Sequence, residues 1–157
     1  MSTVKQHASF TEAFLPLAPR GERDEYPEWM YRFLRPVSAL VGSPDFNIAN
    51  VHQWLHPEQE AGKDVAGHII YKHLEQHNML SQCFGLIELE AIQKKGVSFF
   101  REHFDGKMVF GWKSAGHFVV LDNACPYLIV AFGKVQLNWW KFDYRFGPHC
   151  VAPRFLD

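Results

Sequence analysis

The sequence predicts an α+β fold in which N-terminal helices, extending to about residue 104, pack on a C-terminal four-stranded antiparallel meander. Three observations predict it. Helix-start and helix-stop residues punctuate the chain before residue 104, residues 83–104 carry one apolar stripe at helical spacing, and after Asp105-Gly106 the apolar period becomes strand-like.

Taken in order, Ser9 with Glu12 forms a capping-box pattern for a short helix that Pro16 stops, and residues 18–25 make a polar loop. Pro27 suits the first turn of a helix that runs to about Arg35 and ends at Pro36. Ser43-Pro44 repeats that start signal for the run DFNIANVHQWL, which His56-Pro57 closes, and a fourth helix is expected over residues 64–80. The fifth, over residues 83–104, is the clearest. At about 100° per residue, Leu86, Leu89, Ile92, Gly96, Val97, Phe100 and Phe104 share one face, while Glu90, Lys94, Arg101 and Glu102 point away from it. The four strands expected within residues 107–146 are KMVFGWK, HFVVL, YLIVAF and VQLNWWKF, parted by Ser-Ala-Gly, Asp-Asn and Gly-Lys turns. Residues 147–157 read as an irregular tail, and the whole span 1–157 as one domain.

Composition narrows the function classes. With 47% apolar and 21% charged residues the chain is globular in type, and 16 basic against 17 acidic residues leave no footprint for nucleic acid or an anionic membrane. The N-terminus lacks a signal-peptide core and no apolar run is long enough to span a bilayer, so a cytoplasmic location is expected. The three cysteines, Cys83, Cys125 and Cys150, show no C-x-x-C spacing and are expected to be reduced thiols. No cofactor motif is present, so no cofactor is expected.

Two patterns carry chemistry. In the run His73-Leu74-Glu75-Gln76-His77 the Glu is displaced by one position from its place in a zinc-protease helix, where it directly follows the first His. His73 and His77 nevertheless lie four apart within the stripe of Val65, Ile69, Ile70 and Leu80. They read either as a buried, hydrogen-bonded pair or as a metal or small-molecule site, with His52, His56 or Glu58 as further ligands. In the second pattern Ser81 caps the helix of residues 83–104, which puts Cys83 in its first turn, where unpaired N–H groups and the helix dipole favour a thiolate. A cysteine nucleophile also needs a base, and His117 opens the second strand just after the Ser-Ala-Gly turn.

The run Cys83-Phe84-Gly85-Leu86-Ile87, then Gly106-Lys107-Met108-Val109-Phe110, then Gly116-His117-Phe118-Val119-Val120 resembles the signatures of papain-like cysteine peptidases of the NlpC cell-wall type. The resemblance covers the C-terminal half of the chain and implies Cys83 as nucleophile, His117 as base, and hydrolysis or acyl transfer on a peptide or amide substrate. Gln82 stands where that family usually has Asp, and the family's third polar residue would fall near Val130, with Gln136, Asn138 or Asp122 as substitutes.

A different class of function follows from the aromatics, which make up 15% of the chain. Along the last strand Leu137 and Trp139 share one face, and Asn138, Trp140 and Phe142 the other. Unless helices cover both faces, one aromatic row is exposed, and Trp112, Trp139, Trp140 and Tyr144 become the anchors of a protein-binding module such as an inhibitor, immunity or assembly protein.

Overall fold

The structure, a computed structural model, describes residues 30–35, 37–118 and 123–156. Its elements are β1 (Met30–Phe33), β2 (Val51–Trp54), α1 (Pro57–Glu60), β3 (Val65–Ala66), α2 (Gly67–Gln76), α3 (Leu86–Phe104), β4 (Met108–Phe110), β5 (Gly116–Phe118), β6 (Asn123–Ala131), β7 (Lys134–Lys141), β8 (Arg145–Phe146) and β9 (Cys150–Phe155), with short 3-10 turns between some of them. The arrangement is mixed α+β, with fewer helices and more strands than the sequence predicts. The helix expected after Ser9 lies outside the described residues.

Two expected helices are replaced by strands. Within residues 27–35 the described part forms β1, antiparallel to β5, and Leu34 N donates to Ala115 O at 2.9 Å. In DFNIANVHQWL the only helical piece is a 3-10 turn, Ile48–Asn50, capped by the Asn47 side chain accepting from Ala49 N at 2.9 Å. The chain then extends into β2, which pairs with β9 from Val51↔Phe155 to Trp54↔Ala152. Val51 and Trp54 fit a pleated, half-buried surface, and pairing with β9 overrides the weak local helix signal.

Helix α2 starts later than residue 64 because Val65 and Ala66 pair with Phe146 and Arg145 of β8. At its first residue the backbone comes so close to residue 142 that only glycine fits. Gly67 N donates to Phe142 O at 2.8 Å, and a Cβ on Gly67 would lie 2.8 Å from Phe142 Cα and from the Phe146 ring.

Helix α3 buries most of the stripe read from the sequence: Leu86, Leu89, Ile92, Phe100 and Phe104 are buried, while Gly96 and Val97 are half-buried. Its start is fixed by Ser114, from outside the helix, and by Glu88, from its own first turn. Ser114 Oγ accepts from Leu86 N at 2.9 Å, and the buried Glu88 carboxylate accepts from Gly85 N at 2.8 Å and from Ser43 N at 2.7 Å. These acceptors satisfy N–H groups that a helix start leaves unpaired. Gly96, at φ +92°, bends the helix, a conformation that a residue with a Cβ adopts only with strain.

The main sheet has seven strands in the order β1-β5-β6-β4-β9-β2, with β7 branching from β6. Strands β5, β6 and β7 form an antiparallel meander, but β4 leaves it. It pairs with β6 at Val109↔Leu128 and runs parallel to β9 at Met108↔Cys150. The expected four-stranded meander is therefore corrected to a mixed sheet, and residues 150–155 of the expected tail are an interior strand.

Both faces of this sheet are core. Under α3 lie Val109, Leu128, Val135 and Val151 with Leu89, Ile92 and Phe100. On the opposite face Phe110, Cys125, Tyr127 and Ala152 pack with Ile70 and Leu74 of α2 and with Trp112, Phe142 and Phe146. Each of these large apolar side chains contributes roughly 1.5–3 kcal/mol by leaving water.

The close approach at Gly67 gives a direct expectation. Gly67→Ala should lower unfolding stability by about 1–3 kcal/mol in a urea titration, the usual cost of overpacking. A variant as stable as the parent would show that α2 is free to move away from residue 142.

Candidate functional site

Cys83 does not sit in a helix turn. It follows the 3-10 turn Leu80–Gln82 in extended conformation, φ −72° and ψ 157°, and bridges to Arg154 of β9. The placement expected from Ser81 fails because Ser114 and Glu88, remote and downstream groups, set the helix start three residues later. The thiol is 0% exposed and donates to Met79 O at 3.5 Å. Burial pushes it up to about 12, against the opposing pull of Arg154, Lys113 and Arg35, so near neutral pH it is a protonated thiol and not a thiolate.

His117 is half-buried on β5, its Nδ1 3.0 Å from Asn123 Oδ1 across the β5–β6 pair. Asn123 is the polar side chain that holds this imidazole. The sequence pattern marks Asn123 only as the second residue of the Asp-Asn turn and does not single it out as a partner of His117. Of the substitutes considered, Gln136 donates to Ala131 O, Asn138 is exposed, Asp122 lies outside the described residues, and Val130 is half-buried.

His73 and His77 stack, with ring centroids 4.1 Å apart and planes inclined by 19°. His56 lies 4.9 Å from His73, edge-on, and Trp54 lies 5.5 Å from it. His56 Nδ1 is occupied, accepting from Glu58 N at 3.1 Å as the cap of α1, and His77 Nδ1 is 2.8 Å from His73 O. One ring nitrogen each of His56 and His77 is therefore engaged within the chain. Among the described residues no group of three or more His, Cys, Asp or Glu is placed to hold a metal ion. Burial, then His77 and His56, hold the His73 pKa below its usual value. His52 and Glu58 are exposed.

The expected aromatic anchors divide. Trp112 is 1% exposed and packs against Phe110, Phe142 and Phe146, so it is a core residue and not a contact residue. Trp139 and Trp140 are half-buried on opposite faces of β7, because α3 covers one face of the sheet while α2 and β8 back the other. Trp140 Nε1 donates to Arg145 O at 3.3 Å, and its ring meets Tyr144 edge-on at 5.0 Å. Tyr144 is 45% exposed, and Lys141 Nζ stands 5.6 Å over its ring.

No protein family, curated protein or solved structure matches this chain. The site has to be argued from geometry, which singles out two features that the sequence reading passed over. The first is Phe132, at the tip of the β6–β7 hairpin, 95% exposed at φ +53°. With Gly133 at φ +73° it forms a two-residue turn in which both central residues are left-handed, a geometry that favours Asn or Asp before Gly. The run AFGK carries the signal of this turn, whereas strand patterning places Phe132 at the end of the expected strand YLIVAF. The second is a cavity of about 280 Å³ lined by Leu34, Arg35, Tyr71, Glu75, Asn78 and Ser81.

The state of the thiols is directly measurable. At about pH 8 iodoacetamide should leave Cys83, Cys125 and Cys150 unmodified in the folded protein, since all three are buried and burial raises each thiol pKa. Fast, selective labelling of Cys83 would contradict this assignment. The Cys83 thiol ordinarily ionises at 9.0 but near 12 in the folded chain. The stability tied to its protonated form is complete below pH 9.0 and is lost as pH rises toward 12, so Cys83→Ala should flatten the alkaline limb of stability against pH.

Proposed function

We propose that this protein is a non-enzymatic protein-binding module that docks through the β6–β7 hairpin, with Phe132 as its anchor. The observation that carries the reading is the exposed phenyl ring held at positive φ. A left-handed conformation costs an ordinary L-residue roughly 1–2 kcal/mol, and asparagine in this turn would avoid most of it. Phe132 packs into no core that would offset the cost, and binding supplies a reason for phenylalanine at this position.

The strand behind the tip supports the same reading. Among the described residues β7 pairs with β6 alone. Phe142 N donates to Asn123 O at 2.8 Å, so in the alternating antiparallel ladder the backbone groups of Val135, Leu137 and Lys141 point away from β6. Lys134 follows the tip, and Lys94 and Lys95 directly follow Gln93, whose side chain donates to Val135 O at 3.1 Å. A matching partner surface is an apolar, ring-sized pocket with an acidic rim. Trp140 and Lys141 at the other end of the same strand, with Tyr144 just beyond it, extend the contact. A hydrolase built on Cys83 draws no support from a thiol that is buried and held protonated.

Phe132→Asn separates fold from function. It should raise unfolding stability by about 1 kcal/mol and remove a protein that the parent chain captures from extracts of its source cells, while Phe132→Trp retains that protein. Identical capture by parent and Phe132→Asn, or a loss of stability in that variant, would overturn the reading.

A further inference from the structure

We infer that His56, His73 and His77 form a proton-operated latch on α1, closed while the three imidazoles are neutral and released when acid drives the His56 side chain from its cap. His56 is the N-cap of α1, and His73 and His77 lie one turn apart at the C-terminal end of α2. Trp54 closes the cluster, its ring 5.5 Å from that of His73 and 6.3 Å from that of His56.

Hydrogen bonds define how two of the rings hold their protons. His56 Nδ1 accepts from Glu58 N at 3.1 Å, so this nitrogen carries no proton and the capping ring is neutral. A proton added there removes the acceptor and leaves the Glu58 N–H facing a cation. His77 Nδ1 lies 2.8 Å from the His73 carbonyl, which can only accept, so this nitrogen donates. Charge on one ring opposes charge on the next, because the His73 centroid is 4.1 Å from that of His77 and 4.9 Å from that of His56. Burial, His77 and His56 all act on His73 in the same direction, and hold it below its ordinary 6.5. Around the cluster, His52, Glu58, Glu60, His68, Lys72 and Glu75 are exposed, and Glu75 acts on Tyr71 instead.

The latch holds the approach to β9. Next to Glu58, the buried Gln59 accepts from His56 N at 2.9 Å through Oε1, while its amide donates to Gly147 O at 2.8 Å and Cys150 O at 3.1 Å. One side chain thus ties the capping residue to the first residue of β9, with Asp64 and His149 as the titratable groups beside Gly147. The stability tied to neutral His73 is complete above pH 6.5 and is lost as pH falls through the lower folded value, so acid favours opening.

The test follows the full chain by NMR between about pH 7.5 and about pH 5.5, where histidines titrate and carboxylates stay charged. The Glu58 amide and the Gln59 side-chain amide should shift together with the His73 ring, in a transition centred below pH 6.5. His56→Asn keeps a side-chain acceptor at the N-cap but cannot titrate, so its Glu58 and Gln59 resonances should stay in place. The melting temperature of the parent should fall by at least about 2 °C over the same range. His73→Phe, which keeps a ring between Trp54 and His77 without a charge, should reduce that fall by about half or more. The inference is independent of the hairpin, so Phe132→Asn should titrate as the parent does. Glu58 and Gln59 resonances that stay fixed in the parent while its histidines titrate, a His73 midpoint at or above 6.5, or an unchanged acid response in either histidine variant would overturn it.

Discussion

Strand β9 is the constraint on which the rest of the structure depends. Its two edges are both used: β4 runs parallel to it at Cys150 and Val151, and β2 runs antiparallel to it from Ala152 to Phe155. Beyond the end of β4, Cys83 bridges to Arg154, Phe84 N donates to Pro153 O at 3.0 Å, and the Arg154 guanidinium donates to the Gln82 side chain. Its two faces are also both used, with Val151 under α3 and Cys150 and Ala152 in the opposite cluster. A single short strand thus joins segments far apart in sequence. Gln59, buried on α1, secures the approach to it, its side-chain amide donating to Gly147 O at 2.8 Å and Cys150 O at 3.1 Å.

This closure accounts for the fate of Cys83. The segment that the sequence presents as the first turn of a helix is drawn into the sheet edge by β9, and the thiol follows it into the interior. Chemistry at that sulfur is suppressed by the same packing that stabilises the fold. With both sheet faces covered, the hairpin tip at Phe132 stands out among the described residues as a feature that local packing does not explain. There a bulky side chain is held at positive φ without compensation from its neighbours.

The legible parts of the fold are those specified by local pattern. The stripe of α3 follows from helical spacing on each side of the break at Gly96, and the β6–β7 hairpin follows from strand-like runs beside Gly133, with the turn itself at Phe132-Gly133 and not at Gly-Lys. Residues 150–155 were not legible, because a strand with core on both faces shows no alternation and Pro153 argues against an interior strand. The structure resolves that conflict: the Pro153 carbonyl, and with it the missing N–H, faces the side where β9 meets only the isolated bridge at Cys83. The helix signals at Pro27 and Ser43-Pro44 gave way to long-range pairing with β5 and β9, which no local propensity reports. Of the aromatics, Trp140 is legible on the last expected strand and Tyr144 just after it. Trp112 was misplaced because strand alternation does not reveal that a 3-10 turn carries it into the core. Phe132 owes its exposure to the turn geometry at the hairpin tip, which composition does not mark.

Residue-resolved hydrogen exchange under native conditions tests the central claim, that β9 closes the sheet and leaves the hairpin tip exposed. The amides of Ala152 and Arg154, which face β2, should exchange only through global unfolding, with the same free energy as those in the centre of β6, while Phe132 and Gly133 exchange with little protection. Exchange of the β9 amides by local opening, with β6 still protected, would contradict the account and return residues 150–155 to the status of a tail.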